Sequence, residues 1–514
     1  MSKFLRVLPL LLMVSIALGG GMVENTNQST EFVRMMARNA STDLDAVFFN
    51  PAGLTKLDNG MHIYLSSQTI TQTRTITSDL GALHSDTFEG ETFAPVFPNF
   101  YFAYKMDKLV ISAGFVPVGG GGSATFEDGL PSFEGPVASL VPMLADAGVT
   151  DYSLDVDFEG SSTYLGGQAM VSYAINDMIS VSAGARFFQA SNSYKGHLKD
   201  VMVTAGGADM IPGDVMRGAS AQATAAATSA QAAADGIAAA IAAGTPGTTP
   251  LTAIDGDGAL AGGLVLFGFD PTGYDIATAA AVYTGAAASA TTSAATYSAT
   301  AGVLDAATAD LVVDATQSGT GFAPILGLNL SPMENLNIGI RYEAMAAMEL
   351  ENSNDDAAAT MYADGEKTNA DMPALLGIGL SYLVMPSLNV AFDYNMYFNE
   401  DVNWDGAQDN VENGSEIAFG VEYALSDALL LSGGYLIATS GALDAYQSDL
   451  SYSLNSNTFG LGAKYSLNPG MAVSFGFSST SYEEGASPAV DAGLGNETYM
   501  KTATVFAIGL QKSL

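Results

Sequence analysis

Cysteine is absent from the 514-residue chain, so no disulfide framework, thiol nucleophile or Cys-zinc site can be built. Histidine is nearly as scarce. His62, His84 and His197 are scattered, with no pair at the i, i+4 spacing of a metal-binding helix. Basic residues number 17 against 54 acidic ones, a net charge of -37, which argues against nucleic acid or an anionic membrane surface as partner. No Asp-x-Asp-x-Asp-Gly loop offers calcium ligands, and the Gly run at 119–122 lacks the Lys-Ser/Thr that completes a phosphate loop. Nothing marks a nucleophile beside a base, so neither an enzyme nor a bound cofactor or metal is expected. Long apolar runs are missing too: none reaches the ~20 residues of a membrane-spanning helix.

What is present begins with a leader. Lys3 and Arg6 precede an apolar stretch from Val7 to Leu18 and the small residues Gly19-Gly20-Gly21. A basic n-region, a short apolar core and a small-residue exit make residues 1–20 a secretory signal peptide. The mature chain would then be exported, acidic and free of thiols.

From Gly60 onward the dominant period is two. Leu336, Ile338, Ile340 and Tyr342 alternate with Asn335, Asn337, Gly339, Arg341 and Glu343. Leu388, Val390, Phe392, Tyr394 and Met396 alternate with Asn389, Ala391, Asp393 and Asn395, and Met471 to Ser478 repeats the pattern. Alternation puts one face of each strand in an apolar medium and the other in a polar or small-residue interior. A soluble sandwich or propeller would want a polar outer face, whereas here the continuous face is Leu, Ile, Val, Phe and Tyr. The connections are asymmetric, short ones such as Met106-Asp107-Lys108 and Asn468-Pro469-Gly470 alternating with long acidic ones such as 351–371 and 483–498. Tight turns on one side and long loops on the other are the layout of an outer-membrane barrel. Strands are expected to start near residues 60, 91, 108, 151, 177, 320, 334, 371, 387, 413, 427, 453, 470 and 498, an even 14. The fold class is therefore all-β, a transmembrane antiparallel barrel over residues 59–514.

Three stretches interrupt the alternation. Val137, Leu140, Val141 and Leu144 fall at i, i+3, i+4 and i+7 before Gly148, which predicts a loop helix whose apolar face either captures ligand or packs the loop. Residues 201–319 form a long insertion of Ala, Thr, Ser and Gly. Its Ala-rich runs at 219–243 and 276–300 suit a helical hairpin, yet carry so little large apolar surface that disorder is equally open. In the third strand, Pro117 removes a ladder donor, and Gly119 and Gly120 cannot fill a sheet face, so neighbouring strands should part there, as a gate or as a bulged rim.

Between the leader and the first strand lies Ser41 to Leu57, an apolar knot of Val47-Phe48-Phe49 followed by the turn Asn50-Pro51-Ala52-Gly53. With Arg38-Asn39-Ala40 and Asp45-Ala46 upstream, this segment resembles the N-terminal hatch of the FadL/TodX family of outer-membrane hydrophobic-compound transporters. The strand count, the Pro/Gly break and the helical outer loop fit the same resemblance. The large insertion and the final Leu514, where barrels often end in an aromatic, depart from it.

The resemblance implies that residues 21–58 plug the lumen and that a kinked third strand opens a lateral gate. It further implies that basic side chains meet a fatty-acid carboxylate within the lumen. By strand phase, Arg186 and Arg341 point inward, as do Lys105 and Lys464; each Arg either contacts ligand or pairs with a lumenal acid such as Glu343, Asp393 or Glu422. The expected protein is a monomeric outer-membrane channel for long-chain fatty acids or similar hydrophobic compounds, meeting outer-membrane lipid and lipopolysaccharide. A general porin, or an adhesin acting through the insertion, is the alternative.

Overall fold

The computed structural model describes residues 29–354, 362–487 and 495–514. The leader and the first part of the hatch segment lie outside the described residues. The chain divides into two compact units. Among the described residues, one comprises 136–155 and 199–310; the other comprises 29–135, 156–198 and those from 311 onward.

Fourteen antiparallel strands make up the barrel of the described residues. The first five are Gly60–Ser78, Thr87–Met106, Leu109–Phe126, Val149–Ala174 and Ile179–Ala205, and the sixth is Leu311–Met333. The seventh comes in two pieces, Leu336–Glu343 and Glu349–Asn354, and the eighth likewise, Lys367–Asn369 and Leu375–Met385. The ninth to twelfth are Leu388–Tyr397, Gly414–Ala424, Leu429–Thr439 and Ser456–Asn468; Met471–Tyr482 (continued by Gly485–Ser487) and Glu497–Ser513 complete the set. The first and last strands pair from His62↔Ser513 to Ser78↔Glu497, which closes the sheet on itself. Leu514 joins this closure, exchanging two main-chain hydrogen bonds with Met61 at 3.0 and 2.7 Å.

The period-two pattern has the consequence expected of it. Outward residues such as Phe93 (68% exposed), Phe322, Phe419, Phe475 and Phe506 stand bare on the exterior, and their inward neighbours are buried. Phe459, Phe477 and Phe506 form a row of ring contacts across three strands at 6.0 and 5.1 Å. An apolar exterior of this extent is stable only in lipid, and no helix of the described residues is long and apolar enough to cross a membrane. The strands are the spanning elements, and an outer membrane is the bilayer that houses such barrels.

In the other unit the Ala-rich runs are helical: Pro212–Ala242 and Ile276–Ala307, with the shorter Ala259–Leu266 between them. Pro212 opens the first helix, where its missing N–H costs nothing, and Asp275 caps the last through Thr278 N at 2.8 Å. Small side chains allow close helix packing around Ala230, Ala234, Ile237, Ile276, Ala279 and Tyr283. Val137, Leu140 and Leu144 are buried and Val141 is half-buried, within the helices Pro131–Ala138 and Leu140–Met143 and the turn that ends at Gly148.

Candidate functional site: the hatch, the lumenal arginines and the strand-three break

Residues 29–57 sit inside the barrel as three short helical pieces, Thr30–Arg34, Ala46–Phe49 and the 3-10 turn Pro51–Lys56. Each piece is too short to be stable alone, so wall contacts must hold it. Phe32, Val33, Met35, Met36, Leu44, Val47, Phe48, Phe49 and Leu54 are all buried, each contributing roughly 1.5–3 kcal/mol by burial. Asn50 ends the second helix, its N–H still donating to Ala46 O at 3.0 Å and its side-chain amide reaching Leu328 O on the sixth strand at 3.0 Å. Pro51 then starts the next turn at the position that needs no donor. Ala52 is fully buried, and a Cβ on Gly53 would lie 2.2 Å from Ser41 O. The Asn-Pro-Ala-Gly sequence thus answers to a tight fold-back of this segment on itself.

Polar groups tie this segment, the expected hatch, to the wall. Asp393 accepts from the main-chain N–H groups of Arg38 and Asn39, the second at 2.7 Å. Arg38 is held by Asp45 at 2.6 Å, and Arg34 lies between Glu31 and Glu422, the latter at 2.7 Å. Asn337 donates to Ala40 O at 2.8 Å and Ser172 to Pro51 O at 2.7 Å. Lys105 bonds Leu57 O and Lys464 meets Asp43 at 3.4 Å, so both inward lysines serve the hatch. Inward glycines on the wall admit its main chain. A Cβ would lie 2.0 Å from Asn39 O at Gly339, 2.6 Å from Ala40 N at Gly379 and 2.3 Å from Val33 O at Gly460. Sequence reasoning passed over these glycines, although their recurrence on the inward phase was a visible signal of close backbone approach.

Arg186 and Arg341 meet in the lumen, 3% and 4% exposed, and share one carboxylate. Arg186 donates to Glu343 at 2.9 and 3.0 Å and to Gln168 at 2.6 Å; Arg341 donates to Glu343 at 2.6 Å and to Phe48 O at 2.7 Å. Both guanidinium groups also face the Phe48 ring, at 4.5 and 5.3 Å from its centroid. The lumenal pairing with Glu343 is therefore real, yet two cations share one anion, which leaves an unbalanced positive charge. With Phe49, Val118, Phe188, Met372, Leu375 and Tyr397 these residues line a partly open pocket in the lumen. Gln168, Phe188 and Val118 were invisible as site residues in the sequence, since only the register of separate strands brings them together.

Val118 belongs to the break. Phe115 points outward, 47% exposed, but the next four residues, Val116, Pro117, Val118 and Gly119, are all buried, so period two fails and the strand turns inward. On one side the ladder to strand four persists through shifts at Pro117/Gly119 and Gly119/Gly122, with Gly120 at φ +93 and Gly122 at φ +73. On the other side, pairing with strand two stops at Phe100↔Phe115 and resumes only at Glu91↔Thr125. Pro117, Gly119 and Gly120 thus lie along a gap in the wall between strands two and three.

The structure is similar to that of a Pseudomonas aeruginosa FadL homologue, with TM-score 0.56 and 12% identity over 96% of this chain and 99% of that one. It is also similar to the Pseudomonas putida toluene transporter TodX, with TM-score 0.53 and 12% identity over 96% and 100% of the two chains. At this identity the likeness is one of fold, and it bears out the barrel fold that the hatch resemblance implied. No family model matches the sequence, and no curated protein does.

Proposed function

We propose that this protein carries hydrophobic compounds, long-chain fatty acids foremost, passively across the outer membrane. The observation that carries the reading is Val118: it lines the lumenal space beside Arg186 and Arg341 and also sits in the unpaired stretch of strand three. On this reading one residue borders both the ligand pocket and the lateral exit. Substrate would be caught at the outer loops by a face that includes Leu140, Val141 and Leu144, and would enter the lumen. There its acid group would meet the unbalanced charge of the arginine pair while apolar side chains cover its tail. Phe48 and Phe49 are both pocket lining and hatch, so an occupied pocket would favour a displaced hatch, a population shift, with Asn50, Pro51, Ala52 and Gly53 as its moving turn. Exit would be lateral, past Pro117, Gly119 and Gly120.

Residues 29–57, read as a hatch, lie within the lumen, and this weighs against a general porin. One neighbour in fold is by its name a toluene transporter, which supports a hydrophobic cargo and a transport rather than catalytic role. We read the protein as a single copy surrounded by outer-membrane lipid, its acidic loops meeting lipopolysaccharide. The test is labelled oleate uptake in a Gram-negative host lacking its own fatty-acid transporter. Uptake that appears with this chain and drops on Asn50→Ala supports the reading; none, with the barrel shown inserted, removes fatty acids as cargo.

A further inference from the structure

We infer a second anion-recognition site, centred on Arg74, that holds the head group of an amphipathic acid at the rim of the strand-three gap. The inference rests on the transport reading above and names a further part of the substrate path. Arg74 lies on the inward phase of the first strand, in register with Gly90 of strand two. One residue on, Glu91↔Thr125 is the pair at which strands two and three rejoin beyond the gap. Arg74 therefore stands where the opening ends.

Its surroundings suit a ligand rather than a structural role. Every other Arg among the described residues has a carboxylate partner: Arg34, Arg38, Arg186, Arg217 and Arg341 all do. Arg74 has none among the described residues, and its Nε is buried with no hydrogen-bond partner. Two neighbours on the same inward face are in the same condition. Gln72, 8% exposed, has an unpartnered Nε2, and Thr92, 3% exposed and in register with it, an unpartnered Oγ1. Leaving three buried polar groups unsatisfied at one place costs on the order of 1–3 kcal/mol each, and together they offer N–H and O–H donors to an acceptor. Lys501, the register partner of Arg74 on the last strand, adds positive charge on the inward phase.

Room for the guanidinium comes from the break itself. A Cβ on Gly121 would lie 2.4 Å from Arg74 Nη2, and one on Gly122 would lie 3.0 Å from Thr92 Cγ2. The glycines that undo the ladder also create the space in which Arg74 stands. The Tyr452 ring, 6.0 Å from Arg74 Cζ and stacked on Tyr499, gives the site an aromatic side. Cationic and neutral donors beside an aromatic wall, at the edge of a gap bordered by the outward Phe93 and Val96, fit a carboxylate whose chain runs toward lipid.

The absence of Cys makes a local test available. Ser123→Cys, exposed and two residues short of the Thr125 at which strands two and three rejoin, carries an environment-sensitive fluorophore, and palmitic acid or its methyl ester is titrated in non-ionic detergent. The acid should bind, and Arg74→Gln should weaken it roughly tenfold while leaving the ester unchanged. Arg74→Lys should recover part of the loss. Gly121→Ala, which displaces the guanidinium without removing it, should weaken the acid selectively too. An Arg74→Gln protein that binds acid as tightly as before, or loses acid and ester equally, overturns the site while leaving transport intact. If the unsubstituted protein binds neither compound, the transport reading falls and this site with it.

Discussion

Replacing Glu343 by Gln separates the two roles of the lumenal cluster. Glu343 is 4% exposed and accepts from Arg186 at 2.9 and 3.0 Å and from Arg341 at 2.6 Å. The amide has nearly the same shape but no charge, and it turns donor hydrogens toward two cations. Removing one partner of a buried ionic cluster costs about 3–5 kcal/mol. That cost should appear where the cluster touches the hatch, because Arg341 also holds Phe48 O at 2.7 Å. Hydrogen exchange at Val47, Phe48 and Phe49 should therefore quicken in detergent-solubilised protein, while strands remote from the cluster stay protected. Ligand binding should move the other way. The pocket's unbalanced charge rises by one unit, and a unit charge ~4 Å from a carboxylate is worth about 4 kcal/mol at an effective dielectric constant of 20. If a third of this survives hatch loosening and desolvation, palmitate binding tightens about tenfold and the methyl ester is unaffected. Unchanged acid affinity, or acid and ester shifting together, would refute the claim that the shared carboxylate sets the pocket's charge.

Further substitutions probe the other parts. Gly339→Val places a side chain where Asn39 O now lies 2.0 Å from a Cβ, so the hatch should fail to seat and single-channel conductance should rise in a barrel that still inserts. Deleting Gly120 and Gly121 together removes the bulge that shifts the strand-three ladder; oleate uptake should fall severalfold although heat-modifiable mobility shows a folded barrel. Asp393→Ala strips the acceptor from two buried main-chain N–H groups and should destabilise the seated hatch by roughly 2–6 kcal/mol, read as faster proteolysis at Arg38. The hatch should also resist acid. Burial alone would raise the Glu31 carboxyl, but Arg34, then Lys464 and Arg38, hold it well below the usual carboxylate range. A depressed folded-state value gives stability that is complete above the unfolded value of about 4.3 and is lost only as pH falls through the lower one. Pepsin at about pH 3 should leave the hatch intact, and cleavage there would contradict the ion cluster.

Much of this protein is local and so was legible in the chain. Alternation needs only the geometry of one strand, and it placed most strand starts within a few residues of where they stand; Leu336, Leu388 and Met471 are examples. The sixth strand was the largest miss, starting at Leu311 rather than near 320, because Ala315, Gly319 and Gly321 look like the insertion that precedes them. The Ala-rich runs left helix and disorder open, and their helices are settled by packing around Ile237, Ile276 and Tyr283, a contact between segments some 40 residues apart. Pro117 and its glycines announced a break, since a missing N–H is a property of one residue. The side on which the ladder opens depends on which neighbour keeps pairing, and here strand four does and strand two does not. Phase alone turned Arg186 and Arg341 inward, but their sharing of Glu343 depends on registers fixed around the closed sheet. Arg74 was not singled out by the sequence at all: only the fold set it, without a counter-charge, beside the gap.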